Sequence, residues 1–231
     1  MIVSVHQPNY LPWVGYFHKI ALSGAFVFLD AVQYPRGQSV ANRNKIKTAG
    51  GVQYLTVPIS KPKGSRGKAS YFDVAPADNR WPASHLKTLR LAYGRTPYFA
   101  RYVDDLAAIL QAGQSFVDTN IALIRYLLAQ LNITTPVYRL SALAVEPGRK
   151  SELVVNICRS LNAGVYLSGQ GARAYNDEAL FAAHGIQLTY QQFTCPVYPQ
   201  LYGAFAPNLS VVDLLFNCGP DSKQILMQAG G

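Results

Sequence analysis

Apolar residues cluster along the chain in two rhythms. Ile2-Val3-Ser4-Val5 is a short apolar run that predicts a buried strand, and Ala25-Phe26-Val27-Phe28-Leu29, ending at Asp30, predicts another. Between them His6-Gln7-Pro8-Asn9-Tyr10-Leu11-Pro12 carries two prolines, which exclude a helix or a central strand. From Trp13 the spacing turns helical, with Trp13, Phe17, Ile20 and Ala21 on one face and Ser23-Gly24 as the stop. Strand, loop, helix and strand in succession predict a parallel unit with a right-handed crossover. Tyr54–Ile59 and Tyr71–Val74 read as two further strands, joined by a mobile loop, Ser60–Ser70, rich in Lys, Gly and Pro.

From Trp81 to Leu131 the period is helical throughout. Pro97 interrupts it, Val103, Leu106, Ala107 and Leu110 form one stripe, and Asp118 is the expected N-cap of a helix bearing Ile121, Ile124, Leu127, Leu128 and Leu131. Alternation then returns. Ser151 is read as the cap of a helix with Leu153, Val154, Ile157, Cys158 and Leu161 inward. A strand at Val165–Ser168, a helix over Asp177–His184 and an edge strand at Ile186–Tyr190 follow. Ser210 with Asp213 resembles a capping box for a final helix stopped by Gly219 and Pro220. The expected architecture is α/β: a Rossmann-like open, mainly parallel sheet with flanking helices and a small helical subdomain. All of it falls in one domain, 1–231, with the α/β core at about 1–80 and 145–231 and the helical segment at about 81–135.

Composition narrows the class. With 49% hydrophobic and 14% charged residues the chain is not disordered, and no apolar run is long enough to span a bilayer. No signal-peptide pattern opens it, and Cys158, Cys195 and Cys218 are scattered without metal-binding spacing, so a cytoplasmic location and no metal are expected. The net charge of +9 is concentrated: no carboxylate lies between Asp30 and Asp73, where Arg36, Arg43, Lys45, Lys47, Lys61, Lys63, Arg66 and Lys68 occur. That excess favours a small anionic partner bearing phosphate or carboxylate, since no nucleic-acid-binding signature accompanies it. The aromatic stretch Phe193–Phe216 suits either a cover for the core or a homodimer patch.

In an open parallel sheet, ligands bind outside the carboxyl ends of the strands. Three strand-end segments therefore supply the candidate site. The first gives His6 as general acid or base, with Gln7, Asn9, Tyr10, Gly15 and Tyr16 as binding groups; Gly15 would let a ligand approach helix amides. His18, an alternative candidate for the base, and Lys19 follow, and Lys19 reads as a solvated lysine on an amphipathic helix. The second gives Asp30, to orient an imidazole or hold an amine, then Gln33 and Asn42-Arg43-Asn44, whose Arg43 suits phosphate or carboxylate. The third gives Ser168, Gly169 and Gly171 as an anion-binding nest, with Tyr175 beside it. His85 is a further candidate histidine, and as likely a core one; Gln200 is a further candidate for binding.

The motifs His6-Gln7-Pro8-Asn9-Tyr10-Leu11-Pro12-Trp13, Gly15-Tyr16-Phe17, Phe28-Leu29-Asp30, Val32-Gln33-Tyr34, Asn42-Arg43-Asn44 and Tyr198-x-Gln200 together resemble the WbqC-like proteins. The resemblance spans nearly the whole chain. It implies a bacterial biosynthetic role, in surface-polysaccharide (O-antigen) or specialised-metabolite pathways, and candidate site residues, without fixing a reaction. The layout is also remotely similar to nucleotidyltransferase-like enzymes such as pantothenate synthetase. Where those carry the imidazoles of His-x-Gly-His, this chain has Trp13 and Tyr16, neither positively charged. The expected activity is acyl or aminoacyl transfer to the amine of a nucleotide-activated sugar or related metabolite, with no cofactor dictated by the residues. An ATP-dependent carboxylate-activating ligase and a non-catalytic binder of anionic metabolites are the alternatives.

Overall fold

A computed structural model of the chain describes residues 1–35, 37, 39–62, 64 and 68–230. Of the basic segment, Arg36, Lys63 and Arg66 lie outside the described residues.

Five strands form one wholly parallel sheet: β1 (Ile2–His6), β2 (Ala25–Phe28), β7 (Val137–Arg139), β8 (Val165–Ser168) and β9 (Gln187–Tyr190), in the order β7-β2-β1-β8-β9. Because side chains alternate across a strand, each face has its own core. Phe26 and Phe28 point to one layer; Val3, Val5, Ala25 and Val27 point to the other. The first layer holds α1 (Val14–Ala21), α2 (Trp81–Tyr93), α3 (Phe99–Gln111), α4 (Phe116–Gln130), α7 (Val211–Cys218) and α8 (Ser222–Met227). The second holds α5 (Ser151–Ser160) and α6 (Glu178–Ala183). Tyr198 and Val211–Phe216 are buried in the first core, with Phe193 and Phe205 packed against it, so the aromatic C-terminal stretch covers that core.

The chain runs outward from β1 through β2 to β7, then crosses back to the far side of β1 for β8 and β9. Strand order thus reverses between β1 and β8. These two pair only at Ile2↔Val165 and Val3↔Tyr166, whereas β1 follows β2 as far as His6↔Phe28 and β8 follows β9 as far as Ser168↔Tyr190. Beyond Val3 the two central strands part.

Several local expectations need correction. The segment 43–56 is an antiparallel hairpin, β3 (Arg43–Thr48) and β4 (Gly51–Thr56), turned by Ala49-Gly50 with Gly51 at φ +99°. Pro58 cannot continue a ladder, so β4 ends and a short β5 (Ile59–Ser60) pairs with β6 (Ala75–Pro76). Tyr71–Val74 is therefore not a strand; Asp73 accepts hydrogen bonds from Ser70 N and Oγ and closes a turn there. The cap of α4 is Ser115, whose Oγ accepts from Asp118 N, so Asp118 sits in the first turn. Ser151 is the first helical residue of α5, after Lys150 at φ 52°, and its Oγ accepts from Asp177 N. Ser210 makes no side-chain cap of α7, because Asp213 points inward to accept from Tyr93 OH at 2.8 Å. The chain also continues past Gly219 and Pro220 into α8.

Candidate functional site

A cavity of about 1340 Å³ opens where β1 and β8 separate. Its walls come from the carboxyl ends of β1 (Val5–Gln7) and β8 (Ser168–Ala172), the start of α1, the turn after β2, and the connection from β7 into α5. This is the crevice expected at the switch point of an open α/β sheet.

His6 leaves the end of β1 into this wall. Its Nδ1 lies 3.1 Å from the carbonyl of Gln7. A carbonyl only accepts, so Nδ1 carries the proton and Nε2 keeps its lone pair. Tyr16 donates its hydroxyl to the same carbonyl at 3.1 Å and packs edge-on against the imidazole, 4.9 Å between centroids. The rigid loop and the tyrosine thus fix both ring and tautomer. Burial, then the nearby charge of Lys19, pulls the His6 pKa down to about 3, so it is neutral at physiological pH.

Lys19 stands beside it. The lysine lies on the second turn of α1, is 3% exposed, and donates from Nζ to the Val5 carbonyl at 3.0 Å. Burial lowers its pKa to about 7. Every residue of α1 before Ala21 is buried, so this helix has no solvated face. The packing of α1 on every side, and no feature of its own sequence, places Lys19 inside. Lys68, Arg149 and Lys150 also line the cleft, against one carboxylate among the described residues, Glu146. Gly148 permits the approach to α5, since a Cβ there would meet Leu153 N at 2.9 Å.

On the β8 side, Ser168 is fully buried and accepts from Asn176 Nδ2 at 3.0 Å, while Gly169 and Gly171 border the cavity with open space where a Cβ would stand. Tyr175 lies at the rim, exposed. Gly15 also faces the cleft, and its lack of a side chain makes room for the indole of Trp13. Gln191, which sequence reasoning missed, donates from Nε2 to Gly15 O at 2.9 Å and to His18 Nδ1 at 3.0 Å. The carbonyl partner fixes the amide's orientation, so His18 Nδ1 is an acceptor and that ring is neutral.

The structure therefore brings His6, Gln7, Gly15, Tyr16, Gln33, Ser168, Gly169, Gly171 and Tyr175 to one cleft. It does not bring the others. Asp30 is buried and turned away: it accepts from Arg139 Nε at 2.6 Å, Ser141 N at 3.0 Å and Ser141 Oγ at 2.7 Å, joining the ends of β2 and β7. It can orient no base in the cleft. His18 is behind the wall, holding Gln191. His85 is buried on α2, accepting from Tyr10 OH at 2.8 Å through Nδ1 and donating to Thr56 O at 3.2 Å through Nε2, so both of its nitrogens and the Tyr10 hydroxyl are occupied. Asn9 is buried outside the cleft lining.

The polar residues of the hairpin serve packing. Asn42 donates to Val57 O and Asn44 to Leu11 O, each at 2.7 Å, and Arg43 stacks on Tyr54 at 4.3 Å. Gln200 takes Lys47 Nζ at 3.2 Å and both donates to and accepts from the Ala206 backbone, tying the C-terminal strap to β3. Of the described residues in the basic segment, Lys68 alone reaches the cleft. Among the described residues no cluster of His, Cys, Asp or Glu is arranged to hold a metal ion, and no helix is long and apolar enough to cross a membrane. The three cysteines are free.

The model of the WbqC-like protein family matches residues 7–225. An uncharacterized protein of Mycobacterium tuberculosis, Rv1507c, is 34% identical over 230 residues, covering 97% of this chain and 96% of its own length. No solved structure matches. The chain belongs to the WbqC-like protein family.

Proposed function

We propose that this WbqC-like chain is a biosynthetic transferase that moves an acyl or aminoacyl group onto the amine of an anionic, nucleotide-activated sugar or a related metabolite. The observation that carries the reading is His6: a neutral imidazole, locked with Nε2 as acceptor, in a cleft whose described lining sets the basic residues Lys19, Lys68, Arg149 and Lys150 against Glu146. The cavity exceeds the roughly 300–1,000 Å³ typical of a single ligand site, which leaves room for donor and acceptor together.

Physical chemistry limits what His6 does. A base whose pKa lies near 3 cannot deprotonate an ammonium ion at neutral pH, so the amine enters uncharged. His6 Nε2 accepts one N–H and aligns the nitrogen lone pair with the acyl carbon. As the C–N bond forms, the nitrogen becomes strongly acidic; its proton passes to Nε2 and on to the leaving group as the bond to that group breaks. Tyr16 keeps the ring in place through the Gln7 carbonyl. Lys68, Arg149 and Lys150 hold the substrate's phosphate or carboxylate.

Mass spectrometry of ligands that co-purify with the protein, followed by amide-forming assays on the compounds found, tests this. His6→Ala should lower kcat at least a hundredfold, with a rate in the intact enzyme that rises with pH as the amine loses its proton. Unchanged turnover in His6→Ala refutes it. The second reading, ATP-dependent carboxylate activation, is favoured by the basic groups at the mouth of α5 and weakened by Trp13 and Tyr16. Pyrophosphate release from ATP and a carboxylic acid before any amine is added would establish it instead.

A further inference from the structure

Among the described residues that line the cleft, Lys19 is the one ionisable basic or acidic side chain (Lys, Arg, Asp or Glu) that is buried, and its surroundings do not match a full charge. Its Nζ caps the Val5 carbonyl, which lies beyond the point where β1 stops pairing with β8. An uncharged donor would satisfy that carbonyl equally well. An ammonium brings three N–H groups and a full charge; one carbonyl is its hydrogen-bond partner, and no carboxylate among the described residues lies within ion-pair distance. Buried charges in folded proteins are paired or held by several hydrogen bonds. The other titratable groups described in the cleft lining do not supply the missing charge: His6 from β1 is neutral, Tyr16 from α1 and Tyr166 from β8 hold their protons, Lys68, Arg149 and Lys150 are themselves basic, and Glu146 lies at the exposed rim.

We propose that Lys19 is the buried countercharge for an oxyanion of the ligand, phosphate-type or carboxylate-type, bound at the parting of β1 and β8, and that the protein takes up a proton at Lys19 as this anion binds. Without the anion, burial keeps the amine partly neutral near pH 7. With it, the ion pair restores the ammonium. Binding and proton uptake are then linked: uptake approaches one proton per ligand about a pH unit above neutrality and falls towards zero about a unit below. The inference rests on the cleft being the ligand site, as proposed above, but not on the reaction. Loss of turnover with proton-linked anion binding intact would count against acyl transfer alone, and turnover without such linkage would count against Lys19 alone.

Sulfate and acetate serve as probes, because neither titrates near neutral pH. Calorimetric titration of each in two buffers of different ionisation enthalpy, above and below neutrality, gives affinity and proton uptake together. Binding of at least one anion with uptake only on the alkaline side is expected. Lys19→Met should weaken that binding about thirtyfold and abolish the uptake; Lys19→Arg, permanently charged, should keep binding and abolish the uptake. NMR titration of the Lys19 side chain in the unaltered protein, which needs no variant, should show its pKa rising when the anion binds. Absence of binding by both anions, or equal uptake in the intact protein and Lys19→Arg, overturns the proposal.

Discussion

His85 offers the sharpest test of how this fold divides its histidines between structure and site. The ring is 6% exposed, accepts from Tyr10 OH and donates to Thr56 O. Protonating Nδ1 would turn that acceptor into a donor facing a hydroxyl proton, and would place a charge in the core beside Trp81. Burial accordingly lowers its pKa from 6.5 to about 4, against a smaller opposing pull from the Thr56 carbonyl. The unfolded chain binds the proton more tightly than the folded one. Stability is therefore complete above about pH 6.5 and is lost as pH falls through 6.5 to about 4. The gap between the two values corresponds to about 3 kcal/mol. His85→Gln keeps one donor for Thr56 and one acceptor for Tyr10 but does not titrate. Urea unfolding of both proteins at a series of pH values isolates the contribution, because His6, which titrates lower, is common to both. The intact protein should lose about 3 kcal/mol more than His85→Gln between neutrality and about pH 4. Parallel curves would refute the assignment.

The remaining predictions concern the walls of the site. Asp30→Ala strands Ser141 and half of the Arg139 pairing, and should cost about 3 kcal/mol in chemical denaturation, with Arg139's partial exposure keeping it from costing more; a loss under about 0.5 kcal/mol would show the network to be slack. Gly15→Ala drives a methyl group into the Trp13 indole and should cost about 2 kcal/mol with a shift in tryptophan emission, whereas an unshifted spectrum would mean that the ring had not needed the space. Lys19→Met should flatten the alkaline stability profile. Between about pH 7 and 10.5 the unfolded chain holds more protons than the folded one, so the intact protein gains up to about 1.4 kcal/mol per pH unit relative to the variant, and equal slopes would contradict the burial of Lys19.

Much of the scaffold is legible in short-range pattern. The β1-α1-β2 unit, β8 and β9 announce themselves because each strand is a bounded apolar or alternating run. The hairpin β3–β4 is hidden because Arg43-Asn-Lys-Ile-Lys-Thr48 holds a single aliphatic residue; its inward Asn44 and Lys47 are satisfied by Leu11 O and by Gln200 and Ala204, partners unknowable from local sequence. β7 is three residues long, too short to show a period. The same distance effect governs the site. His6, Tyr16 and Ser168 reach the cleft because they sit at strand ends or on the first helix, as topology dictates. Asp30 also sits at a strand end, but Arg139, over a hundred residues away, claims it. The residue type and an amphipathic helix predict a solvated Lys19, and only the packing of α1 on every side reverses that.

Mapping of backbone amide shifts during titration with sulfate reads the location of the anion site directly. The cleft account predicts the largest changes at residues 6–7, 15–19, 146–151 and 168–171, with the hairpin at 43–56 unmoved. Shifts confined to the basic hairpin, around Arg43, Lys45 and Tyr54, with the switch-point residues silent, would contradict it.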